Sequence, residues 1–207
     1  MKACAISPFS IATTQELLNF IATINHELII LPGGAPNHPS VRQIQNAISP
    51  QSTVFVETGY KKLSNRPWIV LKKSVIQMPG QLFAQTPRAS DLDNLQNIWG
   101  KRTHLIASKK VSFAICGEVD AFTVRGTVKY NRNLPFNILV NPTHTVRGRW
   151  NHLGRKLSNL SIKKVVIHNA NNDRNHNKLT TNLRIYKNGV ISPVHQIGNL
   201  SWSECKV

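Results

Sequence analysis

Acidic side chains are scarce in this sequence: 9 Asp and Glu stand against 26 Lys and Arg, a formal charge of +17 over 207 residues. Charged residues total 17%, so the basicity comes from missing acids rather than from crowded cations. A hydrophobic fraction of 41% excludes a disordered polycation, and the length suits one domain with its own core. Cysteine is also sparse. Cys4, Cys116 and Cys205 are odd in number and have no paired spacing, which argues against a disulfide framework or zinc ribbon and fits a reducing compartment, the cytosol being the expected home. No apolar run approaches the roughly 18 to 20 residues of a membrane helix. Met1 to Ser10 lacks the cationic start and apolar core of a secretory signal, so a soluble chain with no membrane insertion is expected. The eight histidines (26, 38, 104, 144, 152, 168, 176 and 195) show no HxH or HExxH spacing, and Gly33 and Gly34 lack both phosphate-loop patterns. Neither a metal nor a cofactor is predicted.

The charge is unevenly placed. The first hundred residues carry eight basic and five acidic side chains, the remainder eighteen and four. Such a field attracts polyanions or anionic surfaces through salt-sensitive association. Arg147, Arg149, Arg155 and Lys156 lie between Trp150, Leu153, Leu157 and Leu160, which recur at helical spacing. Val146 to Leu160 therefore predicts an amphipathic basic helix whose cations form an anion-binding surface for nucleic acid, with Trp150 better suited to a core contact than to base stacking. A solvated outer face is the plainer alternative.

Helices are predicted over Ile11 to Ile24 and Ser40 to Ile48. Strands are predicted over His26 to Leu31, Ser52 to Tyr60, Lys110 to Val119, Phe136 to Val140, Lys164 to Asn169 and Asn182 to Tyr186, the last followed by a turn at Asn188 and Gly189. Pro67 to Thr86 predicts a hairpin turning at Met78, Pro79 and Gly80, while Ala89 to Arg102 reads as polar and irregular and Asn169 to Asn177 as a loop. Alternating helices and strands interrupted by a hairpin indicate an α/β layered domain.

Cys116 stands out among side chains capable of chemistry. It ends an apolar strand, and is followed by Gly117, which permits an unusual turn, and by the carboxylate of Glu118. An attacking thiolate needs such a rim position and a neighbouring base. The bland alternatives are a small core cysteine and, for Glu118, an ion pair with one of the abundant cations.

The order of segments resembles the nitrilase, or carbon–nitrogen hydrolase, superfamily. LIILPGG looks like its strand ending at a proline, FAICGEVDAF like its nucleophile strand, FNILVNPTHT like the following strand with its Asn-Pro segment, and KVVIHNANND like the strand after the next helix. The resemblance spans most of the chain and implies a single-domain αββα sandwich with a Glu, Lys and Cys catalytic set. In that chemistry the Cys attacks an amide or nitrile carbon, the Glu moves protons, the Lys stabilises the oxyanion, and water releases a thioester.

Cys116 matches the nucleophile, but Gly33 stands where the family has its Glu, and Gln85 where the Lys is expected. Glu118, Glu57 or His144 would then supply the base, and Arg88, Lys72 or Lys73 the cation. Gly33, Gln85, Asn141 and Thr143 are the expected substrate-binding positions. Two alternatives to a hydrolase of small amides stand beside it. One is a catalytically inactive relative that binds nucleic acid or another polyanion, and the other is an interaction subunit that pairs as a homodimer.

Overall fold

The computed structural model describes residues 1–34, 38–58, 66–144, 150–171 and 182–207. Strand β1 (Lys2–Pro8) is buried from Ala3 onward, and its side chains alternate between two cores: Ala3 and Ala5 on one face, Cys4 and Ile6 on the other. Helix α1 (Thr14–Thr23) starts at Thr13, whose hydroxyl accepts the Glu16 N–H at 3.1 Å, and buries Leu17, Leu18 and Ile21. Then come β2 (Leu28–Ile30), α2 (Val41–Ala47, with a Ser40/Gln43 capping box), β3 (Thr53–Thr58), β4 (Arg66–Leu71) and β5 (Val75–Gln77). The second half holds α3 (Ala89–Ile98), a 3-10 turn (Trp99–Arg102), β6 (Thr103–Ile106), β7 (Lys109–Phe113), β8 (Ile138–Thr143), α4 (Trp150–Leu160), β9 (Val165–Ala170) and β10 (Leu183–Lys187). It closes with β11 (Val190–Ile191), β12 (His195–Ile197) and β13 (Leu200–Lys206).

These strands form two sheets, ordered β12-β13-β1-β2-β3-β4-β5 and β11-β10-β9-β8-β7-β6. The centre of each is parallel, β1-β2-β3 in one and β7-β8-β9 in the other, and each flank is antiparallel. Apolar side chains from both sheets fill the space between them, where the Phe55 and Phe113 rings stack at 5.1 Å. A second core lies between the first sheet and α1 and α2, a third between the other sheet and α3 and α4. The result is the α/β architecture of the αββα sandwich expected from the sequence.

Polar ties cross from sheet to sheet near one end. Asn169 Nδ2 donates to the carbonyls of Ile6 and Ile30, both at 2.9 Å, and the Ser7 hydroxyl donates to Ala170 O at 2.6 Å. Buried and charge-neutral, such bonds fix how the sheets register against each other.

Three expectations fail. The strand predicted over Lys110 to Val119 ends at Phe113, because Cys116, at a φ of 50°, turns the chain into a 3-10 helix over Cys116–Ala121. The hairpin turns at Lys72 to Ser74, between β4 and β5, and Gln81 to Thr86 forms no strand. Its backbone finds side-chain partners instead, since Arg102 donates to Gly80 O and the Leu82 N–H donates to Glu118. The segment expected to be irregular is helical, because Leu92, Leu95 and Trp99 share one buried face while its polar residues meet solvent. Of the predicted basic helix, Trp150 to Leu160 is helical; the preceding residues 145–149 lie outside the described residues, as do residues 172–177 of the predicted asparagine-rich loop.

Candidate active site

The carboxyl ends of five parallel strands from both sheets meet at one seam, the usual place for a ligand site in such sheets. Past β2, the Gly33 N–H donates to Thr143 O, at the end of β8, at 3.0 Å. Past β9, Asn171 Nδ2 donates to Gly33 O at 2.6 Å and His144 O at 3.2 Å. Cys116 lies three residues beyond β7. Its φ of 50° places a non-glycine residue in the left-handed region, where a sharp turn pushes a side chain out of the strand direction. Asn141 holds that turn, with Nδ2 donating to Ala114 O (2.6 Å) and Cys116 O (2.9 Å) while Oδ1 accepts from His168 Nδ1 at 2.7 Å. Burial keeps His168 neutral, lowering its pKa to about 3.

The thiol is half-buried. Burial pushes it above its ordinary range and the Glu57 and Glu118 carboxylates act the same way, while the backbone N–H groups of His144 and Gly117 pull it down. Attack at neutral pH therefore needs a proton acceptor. Glu57, from β3, is 1% exposed, and its Oε2 lies 3.4 Å from His144 Nε2. A Cβ at Gly33 would fall 2.5 Å from that same Oε2, 3.1 Å from Thr143 C and 3.3 Å from His144 N. Burial lowers the pKa of His144, and lowers that of neighbouring His38 to about 4, so both rings are neutral at pH 7. His38 Nδ1 lies 3.5 Å from Glu57 O.

Glu118 is not oriented for catalysis as the sequence suggested. Its fully buried carboxylate takes Arg102 NH1 at 3.0 Å and NH2 at 3.2 Å, the Leu82 N–H at 2.7 Å and the Ile115 N–H at 2.8 Å, leaving no face for a substrate proton. It is the ion pair that the plainer alternative described, and it braces the Cys116 turn. Asn141, expected to bind substrate, has its amide engaged by that turn and His168. Thr143 is buried and contributes its carbonyl to the seam.

Gln85 is exposed, and the backbone of Ala84 before it runs against Gly117, where an added Cβ would come within 2.7 Å. Arg88 is exposed at the head of α3. Lys72 and Lys73 are misplaced for an oxyanion: Leu71 pairs with Thr53, at the opposite end of β3 from Glu57.

The basic helix is less cationic than expected. Lys156 is buried and paired to Asp120 at 2.5 Å, so it adds nothing to an anion-binding face. Arg155 is exposed, and Arg147 and Arg149 lie outside the described residues. Trp150 packs against His168 and beneath Arg184, whose Cζ is 3.8 Å from the ring centre, in keeping with a core contact.

Sequence reasoning passed over Arg102, His38 and His168, and marked Asn171 only as part of the asparagine-rich loop. Arg102 carried no local signal, whereas Asn171 and His144 each sit one residue past a strand end. Among the described residues no group of three or more His, Cys, Asp or Glu could hold a metal, and no helix is long and apolar enough to cross a membrane. A shallow depression of about 480 Å³ lined by Ile76, Gln77, Met78, Pro79, Lys101 and His104 shares no residue with the Cys116 site.

No protein-family model matches the sequence, and no curated protein matches it significantly. Solved structures do. A carbon–nitrogen-hydrolase superfamily protein from Xanthomonas campestris, with an arsenic adduct in its active site, is 10% identical at a TM-score of 0.64, covering 100% of this chain and 91% of its own. Nit3 of Saccharomyces cerevisiae, a nitrilase-superfamily member, is 12% identical at 0.53, covering 98% and 89%. An amidase mutant from Nesterenkonia sp., carrying the acetamide moiety of fluoroacetamide on its active-site cysteine, is 10% identical at 0.56, covering 99% and 90%. With two sheets stacked between helix layers and both parallel centres ending at one seam, the chain has the fold of the nitrilase, or carbon–nitrogen hydrolase, superfamily in a divergent form.

Proposed function

We propose that the chain is a cysteine-dependent hydrolase of non-peptide carbon–nitrogen bonds, acting on small amides or nitriles through a thioester on Cys116. The observation that carries this reading is the Cys116 turn. The thiol is presented in a left-handed conformation at a strand end, braced by Asn141 and the Glu118–Arg102 pair, with backbone N–H groups and a buried carboxylate beside it. With Gln85 where the resembled family has its lysine, the backbone N–H groups of Gly117 and His144, which reach the thiol, are assigned the oxyanion role.

The test compares the wild type with Cys116→Ala on p-nitrophenyl acetate and a panel of short aliphatic amides, with mass spectrometry of the acylated protein. Turnover lost in the variant, and an acyl group found on Cys116 alone, are expected. Full turnover by the variant would refute the reading.

A second reading, polyanion binding, is favoured by the distribution of cations. Exposed Lys2, Lys110, Lys164, Lys187 and Lys206 share the strand ends opposite the site; Lys2 pairs with Lys206 in register, and Lys187 Nζ donates to Lys206 O at 2.8 Å. Binding to a single-stranded DNA oligonucleotide that weakens steeply with salt supports it, and no binding at physiological salt refutes it.

A further inference from the structure

We infer that Glu57, reaching from β3 into the space a side chain at position 33 would fill, is the general base and acid of the Cys116 reaction, with His144 as its positioning residue. The inference rests on the cysteine-hydrolase reading and names the proton carrier which that reading lacks. The strand-end position where the resembled family carries its glutamate holds Gly33, whose bare Cα leaves a gap. The gap is not empty: Glu57 Oε2 stands 2.5 Å from where the first side-chain carbon would be. Two side chains cannot share that volume, so glycine at 33 is what admits the carboxylate from the neighbouring strand.

Three further observations converge on this role. Glu57 is near enough to act on the Cys116 thiol electrostatically. Its Oε2 faces His144 Nε2 at 3.4 Å, and the backbone N–H of the same His144 is turned to the cysteine sulfur, so one residue orients both acid and nucleophile. The competing carboxylate, Glu118, has both oxygens committed to Arg102 and backbone donors.

The steps balance as follows. Glu57 takes the thiol proton as Sγ attacks the amide carbon, whose carbonyl electrons move to oxygen. The tetrahedral adduct collapses, breaking C–N, and the Glu57 carboxylic acid protonates the departing amine, leaving a thioester. Glu57 then takes a proton from water as the water oxygen attacks the thioester carbon; C–S breaks, and the same proton returns to sulfur. The net change is amide plus water to carboxylic acid plus amine.

The experiment uses the full chain with p-nitrophenyl acetate and iodoacetamide as probes. Glu57→Gln, which keeps shape and removes basicity, is expected to lower turnover by about 10²- to 10⁴-fold. Iodoacetamide alkylation of its Cys116 should be no slower than in wild type at neutral pH, since the Glu57 charge that pushes the thiol up is gone, so turnover falls while the thiol stays reactive; a merely structural role, disordering the site, would not part the two. The swap Gly33→Glu with Glu57→Gly should recover turnover that Glu57→Gly alone loses. Should Glu57→Gln fail to fold, Gly33→Ala serves instead, since its methyl pushes the Glu57 carboxylate aside with the carboxylate itself intact, and turnover should fall. Wild-type turnover in Glu57→Gln or Gly33→Ala, with Cys116→Ala inactive, overturns the role of Glu57 and leaves the cysteine reading standing. Full turnover in Cys116→Ala overturns both.

Discussion

Removing the Glu118 carboxylate should destabilise the fold far more than it alters any chemical step. Both partners of the Glu118–Arg102 pair are fully buried, and Arg102 also donates to Phe113 O at 3.2 Å and to Gly80 O. Breaking a buried pair from one side typically costs about 3–5 kcal/mol, because the remaining charge is left uncompensated. Glu118→Ala would also orphan the N–H groups of Leu82 and Ile115, each worth about 1–3 kcal/mol when buried and unpaired. These costs overlap, and a loss of about 5 kcal/mol is the expected scale. For a chain of this length about 2–4 °C is lost per kcal/mol, so the melting midpoint should drop by roughly 10–20 °C. Joint replacement by Glu118→Leu and Arg102→Met removes both charges and should cost less than either single change. The assay is guanidinium unfolding of the four proteins in a double-mutant cycle, with Cys116 acylation followed in parallel. A Glu118→Ala unfolding free energy within about 1 kcal/mol of wild type would show the pair to be solvated, and the packing argument would fail. If Glu118→Gln folded with wild-type stability yet lost all hydrolysis, Glu118 would be the base and the assignment to Glu57 would be wrong.

Other outcomes follow from the same geometry. Asn141→Leu strands the carbonyls of Ala114 and Cys116 and the His168 donor; about 3 kcal/mol should be lost and Cys116 acylation slowed, measured by urea unfolding and an ester burst. Gly117→Ala meets backbone, not a movable side chain, at Ala84, and should cost about 1–3 kcal/mol while displacing the segment that carries Gln85, visible as altered proteolysis there. His38 and His168 have folded pKa values of about 4 and about 3, below the ordinary 6.5. The unfolded chain therefore binds more protons below pH 6.5, and stability should fall as pH drops from 6.5 towards 4 by roughly 1.4 kcal/mol per pH unit for each ring. Replacing His168 by Gln should flatten that slope in acid titrations of the melting temperature.

Much of the sandwich was legible because its strands and helices bury regular faces. Leu17, Leu18 and Ile21 announce α1, and the run through Ile138 to Val140 announces β8. Strand β1 is not marked in the sequence, because the short Met1 to Ser10 segment has no turn signal ahead of it to set a strand apart from a leader, although its alternation of small and large apolar residues serves two cores. Helix α3 was hidden by six polar residues among its ten. In the site, Cys116 was visible from its strand-end motif. Glu57 is one of two candidate carboxylates, His144 being the other candidate base, because nothing local to VFVET tells which strand end its side chain will reach; that depends on β2 and β3 lying side by side in parallel. The Arg102–Glu118 pair spans sixteen residues and two elements, so neither partner marks the other in sequence.

The crowding of Glu57 against Gly33 makes the two positions interdependent in evolution. A chain with glutamate at both would set a side-chain carbon against a carboxylate oxygen at 2.5 Å, and a chain with glycine at both would hold no carboxylate there at all. Neither single substitution from the present pair leads directly to the other arrangement without passing through a crowded or an empty intermediate. A motif search that scores position 33 by itself therefore records a loss. Under the proposed role of Glu57, scoring 33 and 57 as one unit records an exchange.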